Sequence, residues 1–79
     1  MTFDEAKIAI KENQVKAPYL SNWLHIKTGN HYIVKHHVIL ESNLEPHVVY
    51  YRRYDDPIVT WCCPAKEFFD GRFQYIETK

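Results

Sequence analysis

The sequence predicts a mainly β domain of five short strands, with a helix in front and one helical turn before the last strand. Three observations carry that expectation. From Tyr19 onward, apolar and polar residues alternate in short runs separated by turn signals. The first fourteen residues instead repeat with helical periodicity. The last quarter joins two aromatic clusters through a turn that starts at Pro64 and closes at Asp70-Gly71.

Residues 2–14 read as an amphipathic helix. Thr2 and Glu5 have capping-box spacing, and Phe3, Ala6, Ile8 and Ile10 supply the expected apolar stripe. Pro18 ends the helix, because it disfavours helical backbone at the residue before it. Residues 22–27 form the first expected strand, and Thr28-Gly29-Asn30 the turn after it, with Gly29 free to take positive φ. Residues 31–40 make a long second strand. Strict alternation would put Tyr32, Val34, His36, Val38 and Leu40 on one face. Residues 47–54 and 58–63 follow as strands three and four, around an Asp55-Asp56-Pro57 turn, and residues 72–76 as strand five. Five short strands with a helical turn before the last is the order of a small SH3-like barrel. The expected division is 1–18 for helix and linker and 19–79 for the barrel, in one domain.

Composition narrows the function classes. A chain of 79 residues buries only about 60% of the surface it exposes when unfolded, so its core is thin. Six Tyr, four Phe and two Trp offset that deficit. Ten basic and ten acidic residues give zero net charge, which argues against a nucleic-acid binder and removes one barrier to self-association. A homodimer or higher homo-oligomer is therefore expected. The two cysteines are neighbours and cannot staple distant segments, so they read as free thiols in a reducing cytoplasm. Neither a signal peptide nor a membrane-length apolar run is visible.

The chain also carries a set of family-like motifs: His25, Lys27, Gly29, Tyr32 and Val34; Leu44-Glu45-Pro46; Val48-Val49-Tyr50 and Tyr54; Trp61, Pro64 and Phe69-Asp70-Gly71-Arg72-Phe73. Over about two-thirds of its length it thereby resembles a family of short bacterial and phage proteins known as domain of unknown function sixteen fifty-three. The resemblance implies a compact SH3-like barrel. One position departs: the family's arginine before the closing proline is Cys63 here.

Seven residues are candidate ligand contacts. Tyr50, Tyr54 and Trp61 offer flat π-faces, and His25, Lys27, Arg52 and Arg72 offer donors. Alternating tyrosine and arginine suits a planar, anionic ligand, since a ring stacks while a guanidinium fork pairs the charge. Each residue also has an ordinary reading. Tyr50 and Tyr54 fit a barrel core, Trp61 fits a central filler, and Arg72 fits an ion pair with Asp70, Glu67 or Glu77.

Metal and catalytic chemistry find little support. His36-His37 and Cys62-Cys63 are adjacent pairs on strands, so the members of each pair point to opposite faces. Ser21 and Ser42 lack a nucleophile-elbow context. The expectation is a non-enzymatic module without cofactor that binds a small, nucleotide-like molecule. Sequestration of a host nucleotide signal is the concrete version if the chain is phage-encoded. The alternative is an adaptor for protein or nucleic acid, whose sign would be an exposed aromatic groove instead of an enclosed pocket.

Overall fold

A computed structural model describes residues 1–77. Helix α1 spans Phe3–Lys16. Its cap is the expected one: Thr2 N donates to Glu5 Oε1 at 2.8 Å and Glu5 N donates to Thr2 Oγ1 at 3.2 Å. The stripe that faces the sheet differs from the expected one. Ala6 and Asn13 are buried and Ala9 and Ile10 half-buried, whereas Phe3 and Ile8 are exposed. Ile8 lies about 200° round the helix from Ala6. The Phe3 ring carries the Lys7 ammonium 5.5 Å from its centre.

Five strands follow: β1 (Asn22–His25), β2 (His31–Ile39), β3 (Pro46–Arg52), β4 (Thr60–Pro64) and β5 (Phe73–Ile76). They pair antiparallel in the order β4-β3-β2-β1-β5, the mainly β architecture that the sequence predicts. The sheet does not close, because β4 and β5 are its two edges. The gap between them is crossed by a short helix, α2 (Ala65–Glu67), and a wide turn, Phe68–Arg72. Gly71, next to last in that turn, sits at φ 108°, a conformation open to glycine and strained for other residues.

Three boundaries move relative to expectation, and each move relocates a candidate residue. β1 ends at His25, which leaves Lys27 in the β1–β2 turn. β3 ends at Arg52 and β4 begins at Thr60, so Tyr54 belongs to a loop of residues 53–59. Side chains hold that loop away from the ladder: Asp56 N donates to Asp55 Oδ1 at 2.8 Å, and Ile58 N to Asp56 Oδ1 at 3.0 Å. Arg72 closes the wide turn ahead of β5 instead of opening the strand.

The alternation expected of β2 breaks at Lys35. Val34 pairs with Tyr50, but His36 pairs with Val49, so Lys35 is a bulge without a partner. The extra residue turns the faces over. His37 comes to the inner side opposite Val48, while His36 and Val38 face outward and are exposed. His37 then reaches the end of α1, with Nε2 donating to the Ala17 carbonyl at 2.6 Å.

The core lies between the inner face of the sheet and the turn that crosses it. Ala17, Trp23, Val34, Val48, Ala65 and Phe68 are buried together, with Tyr50, Cys63, Phe69 and Phe73 packed against them. Phe68 is its centre. Its ring stacks on Phe73 at 4.5 Å and meets Trp23 edge-on at 5.0 Å and Tyr50 tilted at 5.6 Å. Trp23 holds the structural position that the sequence suggested, and its indole N–H donates to Ser21 Oγ at 3.0 Å.

Candidate binding surface

Helix α1 covers one end of the inner face, near Pro46, Ala65 and Phe69, and the opposite end is open. Cross-strand register aligns side chains across that open end. Trp61 on β4 pairs with Tyr50 on β3, and Tyr50 with Val34 on β2. The Tyr50 ring also lies 5.1 Å from Tyr32, and the Tyr32 ring 5.8 Å from Phe73. His25 closes the row at 5.0 Å from Phe73. A band of aromatic faces therefore runs from β4 to β5, exposed most at its β4 end.

Tyr50 is the half-buried base of this band. Burial and the neighbouring Cys63 push its phenol well above the ordinary tyrosine range, so it stays neutral at physiological pH. Burial also raises the Cys63 and Cys62 thiols. Neither cysteine is thereby activated as a nucleophile, and both are free thiols.

The four candidate donors gather around the β1–β2 turn. Ile26 N donates to the Arg72 carbonyl at 3.1 Å, which fixes that turn against the end of Phe68–Arg72. His25, Ile26, Lys27 and Arg72 thus line one open groove of about 510 Å³. His25 Nδ1 lies 2.8 Å from Thr28 Oγ1, which fixes its ring. The Arg72 guanidinium is engaged, with Nε 3.0 Å from Asp70 Oδ2 and Nη1 3.6 Å from Glu67 Oε1. Lys27 makes no ion pair among the described residues.

Beyond the same turn, Asn30, His31, Arg52, Tyr54 and Asp55 line a smaller cleft of about 160 Å³. Arg52 is tied down there as well: Nη2 donates to Asn30 Oδ1 at 3.2 Å, and Nη1 is 3.8 Å from Asp55 Oδ2. Tyr54 is 84% exposed, and its ring lies 5.2 Å from the Arg53 guanidinium. The seven candidates therefore share one end of the molecule but not one pocket. His25, Lys27 and Arg72 line the first groove, Arg52 and Tyr54 the second, and Tyr50 and Trp61 the band beside them.

Tyr32 and Phe73 join the surface, although the sequence reading named them only as motif residues and not as ligand contacts. The pairing of Trp23 with Tyr32 and of His25 with Phe73 places them there. Among the described residues, no cluster of three metal-binding side chains exists and no helix is long and apolar enough to cross a membrane.

Comparisons with protein-family models, with curated proteins and with solved structures find no match to this chain.

Proposed function

We propose that the protein is a non-enzymatic binding module that engages an extended polypeptide across the open end of its sheet. One observation carries this reading: Trp61 stands on the inner face in line with Tyr50, yet is 49% exposed. The loop before it displays Tyr54, Ile58 and Val59, also exposed. Large flat side chains held on strand backbone are the anchors from which interaction surfaces draw most of their affinity. Arg52 and Arg72 are already paired with carboxylates, which supports an adaptor over a phosphate-binding pocket. Selection of random peptides against the immobilised protein tests the reading. Enriched peptides should bind Trp61→Ala at least about tenfold more weakly. Equal binding by the variant would overturn it.

A second reading keeps the planar, anionic ligand, and the groove of His25, Lys27 and Arg72 favours it. Lys27 has no carboxylate partner there among the described residues, and the Phe73 ring adjoins His25. Calorimetric titration of nucleotides against the parent chain, Lys27→Ala and Lys7→Ala distinguishes the two readings. Heat that disappears only in Lys27→Ala supports a nucleotide-like ligand, and no heat in the parent chain removes it. Self-association is part of the proposal too, supported by two unpaired sheet edges and by exposed Ile8 and Val15 on α1. Sedimentation at micromolar concentration that shows only a 9.5 kDa species would refute it.

A further inference from the structure

The backbone at the edge of β4 has a definite polarity. Val34 turns its backbone groups away from β3: its N–H donates to the Ser21 carbonyl at 3.0 Å, and its carbonyl accepts from Leu20 N at 2.8 Å. Tyr50 lies opposite Val34, so in an antiparallel ladder its own groups turn the other way, toward β4 and its partner Trp61. The bond from Arg53 N to the His31 carbonyl at 2.9 Å follows the same alternation. Trp61 and Cys63 therefore direct their backbone groups to β3. Thr60 and Cys62 direct theirs outward, where no strand of this chain lies.

Little guards this edge. No residue from Pro57 to Ala65 is charged, and Ile58, Val59, Thr60 and Trp61 are β-branched or aromatic, the residues that suit a strand. Ile58, Val59, Thr60, Trp61 and Cys62 are all exposed. The opposite edge, β5, stands between Arg72 and Glu77, and charge there discourages strand addition. Because β4 is uncharged, pairing it with itself brings no like charges together.

Self-pairing also has one register that satisfies every outward group of Thr60 and Cys62. Antiparallel pairing about a two-fold axis beside Trp61 sets Thr60 of each copy opposite Cys62 of the other, and each such pair exchanges both hydrogen bonds. The two Trp61 residues then face each other as the central pair without backbone bonds, in which side chains come closest. An axis beside Cys62 would set Pro64 opposite Thr60, and the missing Pro64 N–H would leave the Thr60 carbonyl unpaired. An axis beside Thr60 would call on Ile58 N–H, which already donates to Asp56 Oδ1 at 3.0 Å.

We propose that two copies of this chain join antiparallel through β4, about a two-fold axis at Trp61, into one continuous sheet. The proposal rests on the self-association reading above and specifies its interface. It also gives the polypeptide site a self-masked state, since the second copy covers the Trp61 that a polypeptide would engage. The second copy is the occupant that the edge itself favours, because the complete register and the absence of charge are properties of β4 paired with β4.

Sedimentation under reducing conditions should show a monomer–dimer equilibrium with a Kd of about 10 μM or tighter. Cys62→Lys puts a charge on the pairing edge. Thr60→Pro removes an outward N–H at the first residue of an edge strand, where proline is tolerated. Each should weaken dimerisation at least about tenfold while circular dichroism stays that of the parent chain, and Cys62→Ser should dimerise like the parent. Amide hydrogen exchange of the parent chain locates the contact: raising its concentration should slow Thr60 and Cys62 most. A dimer that both folded variants leave intact, or whose Thr60 and Cys62 amides ignore concentration, would overturn the proposal and leave self-association through another face standing. A parent chain that stays monomeric at about 100 μM would overturn both, while the polypeptide reading would still be decided by Trp61→Ala.

Discussion

The two tryptophans occupy the same face of one sheet and meet opposite fates. Trp23 is 7% exposed and touches Phe68, Phe69 and Tyr75 with its ring, while Trp61 is 49% exposed. The difference lies in what crosses above them. Phe68–Arg72 folds back over β1 and β5 and delivers Phe68 and Phe69 onto Trp23. β4 is an edge strand, and of its residues only Cys63 packs against the core. A flat sheet face becomes core or binding surface according to whether another element covers it. In so small a domain, one five-residue turn makes that choice.

Mutations can break the contrast, and the largest effect belongs to the covered indole. Trp23→Ala should cost about 3–5 kcal/mol, most of the stability available to a domain of this size. Chemical denaturation measures it, and a loss below about 2 kcal/mol would show that the ring is less enclosed than its 7% exposure indicates. Gly71→Val should cost about 1–3 kcal/mol, wholly through backbone strain at positive φ. Nothing lies within 4 Å of the position a Cβ would take, so Gly71→Ala should lose nearly as much.

Trp61→Ala sharpens the comparison from the other side. Half the ring is already in water, so the variant should lose at most about 1–2 kcal/mol by denaturation. It should nevertheless lose most of its peptide binding. A stability loss equal to that of Trp23→Ala would mark the two indoles as equivalent and remove the case for a surface anchor.

The smallest effects concern protons. Cys62 lies exposed on the outer side of β4 and Cys63 half-buried on the inner side. Both thiols are raised, so alkylation near neutral pH should be slower than for an unfolded cysteine, with Cys62 modified before Cys63. Peptide mass mapping reads the order. Acid should weaken the cap of α1. The backbone and side chain of Thr2 hold the Glu5 carboxyl below the ordinary glutamate value. A carboxyl lowered in the folded state stabilises above its unfolded pKa and loses that contribution as pH falls through the folded one. Stability of the parent chain should therefore decline toward acid more than that of Glu5→Gln, which has no carboxyl to protonate there, and acid titrations by circular dichroism that run parallel for the two would remove this link.

Local chemistry made much of the fold legible. The capping box, the end of α1 before Pro18, positive φ at Gly29 and Gly71, and five strands around one late helical turn all follow from residue type and spacing. Other features carried no local mark. Leu20 and Leu44 adopt positive φ of 67° and 61°, although leucine has no preference for that region. At Leu20 the constraint is tertiary, since its N–H donates to the Val34 carbonyl at 2.8 Å. The candidate site was legible residue by residue but not as an arrangement. Arg72 was readable as an ion-pair partner, because Asp70 and Glu67 are near it in sequence. Its place beside His25 and Lys27 depends on the pairing of β1 with β5.

By itself, the sequence determined what each short segment can do: which stretch winds, which extends, where the chain must turn, and that aromatics would fill a thin core. Those are properties of backbone sterics and of patterns within a few residues. Only the tertiary structure decided which aromatic would be covered, which face the residues after Lys35 would show, and that the sheet would stay open. Each of these depends on contacts between segments distant in the chain. The bulge at Lys35 is the clearest case. One unpaired residue sends His37 inward to the end of α1 and His36 outward, and nothing in His31–Ile39 alone distinguishes the two histidines.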